Sequence, residues 1–185
     1  MRILGGVNRG TTLYAPKVQS TRPSSSRLKE SVFMCLEVLN AIEDANVLDL
    51  YAGSGALGLE SLSRGAKSVT FVDKASACRK TIEKNIEKLN YIGLTKICIR
   101  DTCQFLSTTA NSDLYDLVFI DPPYATNDET VYIVLEKLER LLNQTAVVIL
   151  ERSKFSKPHV PKNYKTLRMR TYGDSAVYFF SFNYA

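Results

Sequence analysis

The stretch Asp49-Leu50-Tyr51-Ala52-Gly53-Ser54-Gly55-Ala56-Leu57-Gly58 decides the predicted fold. Its Gly-x-Gly-x-x-Gly spacing follows a short apolar run at 46–51 and precedes a helix-like pattern at 56–64. A glycine turn between a strand and a helix is typical of α/β folds that bind a nucleotide-like ligand at the edge of a parallel sheet. Glycine is favoured at such a turn because the backbone must bend tightly and approach the ligand closely.

Around this loop, short β-branched runs alternate with longer amphipathic segments, which predicts βαβ units and a mostly parallel sheet. The predicted strands lie at 46–51, 68–73, 96–100, 115–121, 145–151, 164–171 and 175–183. The predicted helices lie at 25–40, 56–64, 75–90, 102–108 and 128–142. The last two strands flank the turn-like Tyr172-Gly173-Asp174-Ser175 and are expected to form an antiparallel hairpin. We therefore predict an α/β domain at 25–185, preceded by an extension at 1–24 that contains a small hairpin over 3–13.

The composition excludes several classes of protein. The chain has 185 residues, of which 45% are hydrophobic and 23% are charged, as in an ordinary globular domain. Its longest apolar runs, such as 147–150, are far shorter than the roughly 20 residues that span a membrane. The N-terminus also lacks the apolar run of a secretory signal. We therefore expect a cytoplasmic protein that does not bind membranes.

The cysteine and histidine content gives no metal site. The 4 cysteines form no Cys-x-x-Cys pair, and His159 is the only histidine. Zinc sites are built from closely spaced pairs of these ligands. We therefore expect no bound metal and assign no role to His159.

The positive charge is concentrated at the two ends of the chain. The net charge is +5, but residues 1–29 and 152–173 contain basic residues and no acidic residue. This distribution predicts that the two ends contact a polyanion. Arg9, Arg22 and Arg27 are the candidate RNA-binding residues. For the segment 20–27, a solvated approach to the next helix with a serine N-cap is the alternative interpretation.

The residues near the glycine loop indicate the kind of ligand. Asp73 ends the second strand, twenty positions after Gly53, and can accept hydrogen bonds from ribose hydroxyls. A dinucleotide of the NAD type is therefore one alternative, and a purely structural glycine turn is another. Asp49 argues against a dinucleotide, because a carboxylate beside the loop would repel a pyrophosphate. S-adenosylmethionine has a ribose and two positive charges but no phosphate, and it is the predicted cofactor.

Further residues are assigned to the same cofactor site because they lie beside these loops. Asp101 follows the third strand and is placed to accept the amino group of the adenine, with an N-cap of the next helix as the alternative. The complete set of predicted cofactor-binding residues is Asp49, Tyr51, Gly53, Gly55, Asp73, Lys74, Asp101 and Thr102.

The sequence Asp121-Pro122-Pro123-Tyr124 directly follows an apolar strand and supplies the predicted catalytic residues. The exocyclic amine of a nucleobase is a poor nucleophile because its lone pair is delocalised into the ring. The Asp121 carboxylate and the Pro122 carbonyl can accept its two N–H groups and stabilise the positive charge that develops. Tyr124 offers a ring on which a flipped base can stack. The alternative is a rigid Pro-Pro turn with a surface tyrosine.

Taken together, these motifs resemble those of the RsmD-type methyltransferases. The resemblance rests on the glycine loop through Glu60, on Phe71-Val72-Asp73, on Asp121-Pro-Pro-Tyr, on Thr21-Arg-Pro-Ser-Ser-Ser-Arg27 and on Tyr172-Gly-Asp174, which together span nearly the whole chain. It implies a class I S-adenosylmethionine-dependent methyltransferase fold, which is Rossmann-like and has seven mostly parallel strands with an antiparallel C-terminal strand.

The resemblance also implies a substrate. Enzymes of this type methylate N2 of a guanine in small-subunit (16S) ribosomal RNA, here expected to be guanine 966, on an assembled or partly assembled small ribosomal subunit. The protein is expected to act as a monomer. The glycine loop and Asp-Pro-Pro-Tyr also occur in adenine-N6 methyltransferases, so an enzyme acting on DNA remains an alternative. A catalytically silent RNA-binding or ribosome-assembly factor with the same fold is the other.

Overall fold

The computed structural model of the chain describes residues 1–16, 26–110 and 114–183. The helices are α1 (Ser26–Val38), α2 (Ala56–Ser63), α3 (Ser76–Leu89), α4 (Thr102–Thr108) and α5 (Asp128–Leu138). The strands are β1 (Asn46–Leu50), β2 (Ser68–Asp73), β3 (Thr95–Ile99), β4 (Tyr115–Ile120), β5 (Leu142–Ser153), β6 (Tyr164–Tyr172) and β7 (Ser175–Phe182). All the predicted helices and strands are thus confirmed within the described residues, although some of their ends differ.

The strands form one seven-stranded sheet in the order β3-β2-β1-β4-β5-β7-β6. Strands β1 to β5 pair in parallel, whereas β7 pairs antiparallel with both β5 and β6. The strand order reverses between β1 and β4, and in open α/β sheets ligands bind at the carboxyl ends of the strands at such a point. The loops after β1 and β4 are therefore neighbours at the edge where a ligand is expected.

The sheet has a hydrophobic core on each face. Helices α1, α2 and α3 pack on one face, where the side chains of Phe33, Phe71 and Phe119 are fully buried or nearly so. Helices α4 and α5 pack on the other, where Leu135 and Phe180 are fully buried. Burial on both faces explains why the inner parallel strands β1, β2 and β4 are largely apolar. Among the described residues, no helix has the length and apolar character needed to cross a membrane.

The end of α5 differs from the prediction. The apolar spacing predicts a helix to residue 142, but α5 ends at Leu138, a short 3-10 turn follows, and β5 begins at Leu142. Leu138, Leu141 and Leu142 are all buried. The apolar pattern therefore continues through the turn into the strand, and it does not mark where the helix ends.

The N-terminal segment follows the predicted hairpin path without forming a regular ladder. A single antiparallel bridge joins Arg2 to Thr12 in the described residues. The backbone N–H groups of Leu4 and Gly5 instead donate to the two carboxylate oxygens of Glu60, each at 2.8 Å. Backbone hydrogen bonds also cross the hairpin, from the Ile3 N–H to the Thr11 carbonyl at 3.0 Å and from the Leu13 N–H to the Met1 carbonyl at 2.9 Å. The contacts with α2 therefore add to those of the hairpin.

Glu60 joins this segment to the two nearest helices. Its side chain is fully buried, and it forms ion pairs with Lys29 Nζ at 2.8 Å and with Arg64 Nε at 2.9 Å. A buried carboxylate is tolerated only when paired and hydrogen-bonded, as this one is. The described part of the extension is therefore held firmly against α2, and the predicted division at residue 24 stays a prediction because 17–25 lie outside the described residues.

Candidate active site

The glycine loop has a backbone that other residues would not readily adopt. Gly53 has φ 56° and Gly55 has φ 77°, both in the left-handed region. The Gly55 N–H donates to the carbonyl of Ala52 at 2.7 Å, which closes the turn. Gly58 serves a different purpose, because a Cβ there would lie 2.4 Å from Phe71 Cε1. The first two glycines thus shape the loop, whereas the third allows α2 to pack against β2.

The Asp73 carboxylate connects the end of β2 to the glycine loop. Its Oδ2 accepts from the N–H of Gly53 at 2.8 Å, and its Oδ1 accepts from the N–H of Ala75 at 2.8 Å. A carboxylate oxygen has two lone pairs, so each oxygen can accept a second donor. The carboxylate is only half-buried and lies at the ligand edge of the sheet, where a ribose could reach it.

Asp49 lies beneath the loop, with only 2% of its surface exposed. Its Oδ2 accepts from the N–H of Gly58 at 3.0 Å. Burial raises the pKa of this carboxyl to about 7; the negative charge of Asp73 acts in the same direction, and the Gly58 hydrogen bond opposes both. A nearby cation would favour the charged form of Asp49, whereas a phosphate would disfavour it.

The loop after β3 brings Asp101 and Thr102 to the same edge. Asp101 is the N-cap of α4, and its Oδ1 accepts from the N–H groups of Cys103 at 2.9 Å and of Gln104 at 3.2 Å. The N-cap alternative for Asp101 is therefore observed, and its contact with an adenine stays a prediction. Burial raises the pKa of the Tyr51 hydroxyl, which hydrogen-bonds to Thr102. Lys74, the remaining candidate, is exposed beside Asp73.

Asp121-Pro122-Pro123-Tyr124 leaves the sheet next to the glycine loop. Ile120, the last residue of β4, pairs with Leu50, the last residue of β1. Asp121 and Tyr51 therefore begin two adjacent loops at the point where the strand order reverses. Tyr124 is 52% exposed, as a ring available for stacking must be.

The hydroxyl of Tyr124 is held by β7 and β5. It lies 2.9 Å from Ser175 Oγ, and Ser175 Oγ donates to Glu151 Oε1 at 2.8 Å. Because the serine hydroxyl has one hydrogen, Tyr124 is the donor in the first of these bonds. The Tyr124 ring is thus connected through Ser175 to a carboxylate of β5.

With this geometry established, the chain can be compared with known proteins. Residues 1–181 match the family described as Conserved hypothetical protein 95. The chain belongs to this family. It is the RsmD family, as the motifs of the sequence predict. Ribosomal RNA small subunit methyltransferase D of Haemophilus influenzae is 32% identical over 94% of this chain and 89% of its own length.

Solved structures agree with the RsmD assignment. The Escherichia coli protein yhhF has a TM-score of 0.85 and 31% identity, and the match covers 99% of this chain and 98% of that protein. The protein SMU.776, solved as a complex with SAH, has a TM-score of 0.70 and 14% identity over 83% of this chain and 49% of its own. The second likeness concerns the fold alone. The neighbours confirm the predicted class I methyltransferase fold.

The predicted RNA-binding residues of this RsmD-family chain lie in different places. Arg27 is exposed in the first turn of α1, which begins at the ligand edge of the sheet. Arg9 is exposed near the opposite edge, because the N–H of the adjacent Asn8 donates to Ser63 Oγ at 3.0 Å, at the far end of α2. Arg22 lies outside the described residues. The structure therefore brings Arg27 near the site but not Arg9.

Sequence reasoning missed Arg152, which supports the loop after Tyr124. Its side chain is 4% exposed, and Nη2 donates to the carbonyl of Thr126 and to Asp128 Oδ1, the latter at 3.1 Å. Its Nε and Nη1 are buried without a hydrogen-bond partner among the described residues. Its place inside a basic stretch of sequence made Arg152 indistinguishable from a surface residue.

Proposed function

We propose that the protein transfers a methyl group from S-adenosylmethionine to the N2 amine of a guanine in 16S ribosomal RNA. One observation carries the proposal: the pairing of Leu50 with Ile120 sets the glycine loop and Asp121-Pro122 side by side at the ligand edge of the sheet. A cofactor held by the first loop would have its reactive end near a base amine held by the second.

The residues of the first loop suit S-adenosylmethionine. When bound, this cofactor supplies an electrophilic methyl group on a sulfonium. Asp73 can accept its ribose hydroxyls, and the buried Asp49 suits a cation better than a phosphate. The cofactor prediction agrees with the comparisons, because the structural neighbours include a SAM-dependent methyltransferase and a complex with SAH.

The residues of the second loop suit an aromatic amine. We expect Asp121 and the Pro122 carbonyl to accept the two N–H groups, which orients the nitrogen lone pair and stabilises the positive charge that grows on it. After transfer, the excess proton leaves to Asp121 or to water, because a methylated aromatic ammonium is strongly acidic. Positioning and electrostatics are therefore the main contributions of these residues.

We infer the substrate of this chain from the names of its relatives. The Haemophilus influenzae and Escherichia coli relatives are both ribosomal RNA small subunit methyltransferases D, at 32% identity. N2 of guanine 966 is the proposed target, on an assembled or partly assembled subunit. A monomer acting in the cytoplasm belongs to the same proposal.

The cofactor assignment predicts a pH dependence of binding. Burial raises the pKa of Asp49 to about 7 in the protein without ligand, with the Asp73 charge adding to the effect. A cationic ligand lowers that pKa and so displaces a proton. We therefore expect the Kd for S-adenosylmethionine to fall as the pH rises towards about 7, by at most about tenfold per pH unit, and to level off above that pH.

Calorimetric titration of the wild type and of Asp49→Asn between about pH 5.5 and 8 tests this prediction. The variant, which has no carboxyl at this position, should bind more weakly and lose the dependence below about pH 7. Equal slopes in the two proteins would show that Asp49 does not sense the cofactor.

Transfer of labelled methyl to several acceptors tests the proposed function. Small ribosomal subunits that lack their own methylation, naked 16S rRNA and duplex DNA are incubated with the protein and labelled S-adenosylmethionine, and the products are digested to nucleosides. We expect N2-methylguanosine, from the subunit or from the naked RNA. N6-methyladenine in DNA would show that the substrate is DNA and that the methylated base is adenine. The absence of transfer to any acceptor would favour a catalytically silent RNA-binding factor.

A further inference from the structure

Two carboxylates lie side by side on adjacent strands, since Asp121 directly follows β4 and Glu151 lies two residues before the end of β5. Phe119 pairs with Ile149 and Ile120 with Leu150, so Asp121 and Glu151 are the next neighbours along the same register. Side chains alternate between the faces of a strand, and Phe119 and Ile149 both lie in the core beneath α1 to α3. Asp121 and Glu151 therefore point to that same face.

Both carboxylates line one cleft. Its walls include Leu28 and Val32 of α1 and Leu57 of α2, and they are mostly apolar. The cleft lies where α1 begins and where the Asp-Pro-Pro-Tyr loop leaves the sheet, since Leu28 and Asp121 both line it. It thus combines apolar surface with two carboxylates that stand at neighbouring positions of adjacent strands.

The orientation of Glu151 is fixed by the same contacts that hold Tyr124. Ser175 Oγ donates to Glu151 Oε1 at 2.8 Å and is 2.9 Å from the Tyr124 hydroxyl. Ser175 is 8% exposed, so this arrangement is shielded from water. A carboxylate has two oxygens with about four acceptor sites, so Glu151 can accept from a substrate donor in addition to Ser175. The ring proposed for stacking and the Glu151 carboxylate are thus parts of one rigid unit.

We propose that Glu151 selects guanine by accepting a hydrogen bond from the N1–H of the base whose N2 amine is held by Asp121. The proposal rests on the proposed function and deepens it, since it assigns the choice of base to a residue outside the Asp-Pro-Pro-Tyr motif. In guanine, N1–H and the N2 amine are adjacent donors on the Watson–Crick edge, so two neighbouring carboxylates complement them.

Adenine presents the opposite pattern next to its amine. Its N1 carries a lone pair and no hydrogen, so Glu151 would face a second acceptor when the N6 amine was held by Asp121. A site whose buried polar group is left unpaired by the wrong substrate discriminates strongly against it. Glu151 therefore distinguishes this site from adenine-N6 sites with the same glycine loop and the same Asp-Pro-Pro-Tyr.

A substrate analogue isolates the N1 contact. 2-Aminopurine keeps the 2-amino group of guanine, but its N1 has a lone pair and no hydrogen. The two bases are placed at the target position of the acceptor identified by methyl transfer, and kcat/KM is measured for the wild type, Glu151→Ala and Glu151→Gln. The oxygen at C6, which 2-aminopurine also lacks, affects all three proteins and cancels when their guanine-to-2-aminopurine ratios are compared.

We expect Glu151→Ala to lower kcat/KM for guanine by about 10- to 100-fold, as for a lost hydrogen bond to a charged group. Its value for 2-aminopurine should stay unchanged or rise, because no N1 hydrogen bond is lost and the acceptor that faces the N1 lone pair is removed. Glu151→Gln, which retains an acceptor oxygen, should recover part of the preference for guanine. The Kd for S-adenosylmethionine verifies that each variant is folded, and Glu136→Ala removes an exposed acid of α5 as a matched control.

The outcomes separate this proposal from the one on which it rests. If the wild type does not methylate N2 of guanine, the proposed function is wrong and the role of Glu151 falls with it. If the wild type does so, but the guanine-to-2-aminopurine ratio is the same in folded Glu151→Ala, then Glu151 does not read the base. A collapse of that ratio in the alanine variant, with partial recovery in Glu151→Gln, supports the assignment.

Discussion

Replacing Asp121 with alanine is expected to lower kcat for methyl transfer by about 1000-fold, because a preorganised group that stabilises developing charge contributes about that much. The Kd for S-adenosylmethionine should stay within about threefold of the wild-type value, since Asp121 follows β4 and does not belong to the glycine loop. Single-turnover transfer of labelled methyl measures the first quantity, and calorimetric titration measures the second.

Two further variants sharpen this experiment. Asp121→Asn keeps an acceptor oxygen for the amine and loses the charge, so its kcat should lie between those of the wild type and the alanine variant. Glu136→Ala removes an acid on the exposed surface of α5 and should change neither quantity. If Asp121→Ala loses as much affinity for the cofactor as it loses turnover, Asp121 belongs to the cofactor site and not to the amine site.

Much of the fold could be predicted because the inner parallel strands β1, β2 and β4 are buried on both faces and each ends near an acid or a glycine turn. The predicted bounds of β2 and α4 coincide with Ser68–Asp73 and Thr102–Thr108. Since parallel strands present their carboxyl ends at one edge, Asp73, Asp101 and Asp121 are brought to the same edge without any knowledge of side-chain contacts. The predicted site therefore follows from local patterns and the rules of the fold.

What could not be predicted depends on contacts between distant segments. Glu151 lies within β5, which runs on to Ser153, and no motif surrounds it. Its connection to Tyr124 depends on Ser175, which the antiparallel pairing of β7 with β5 brings there. The N-terminal hairpin is held against α2 because Glu60, far along the chain, accepts from the amides of Leu4 and Gly5. Such contacts have no signature in local sequence.

Replacing Gly55 with valine is expected to abolish measurable cofactor binding, with Kd raised by about 100-fold or more. Gly55 has φ 77°, a conformation that is strained by about 1–3 kcal/mol for a side chain other than glycine and is worse for a β-branched one. A Cβ there would also lie 3.2 Å from Phe71 Cε1 and 3.4 Å from Ile82 Cγ1, before the two methyl groups of valine are added. The loop must shift to relieve the backbone strain and the close contacts of the new side chain. Each 1.4 kcal/mol of binding free energy that is lost raises the Kd tenfold.

A second glycine separates the backbone strain from the effect on the loop. Gly10 has φ 87°, and a Cβ there would meet nothing within 4 Å. Gly10→Val therefore carries a similar strain in a different turn, and it should lower the melting temperature while leaving the Kd for S-adenosylmethionine unchanged. Gly55→Val should lower the melting temperature further, owing to the contact with Phe71, and should lose the cofactor as well. If a folded Gly55→Val bound S-adenosylmethionine as tightly as Gly10→Val, the glycine loop would not be the cofactor site, because its shape could then change without consequence for binding.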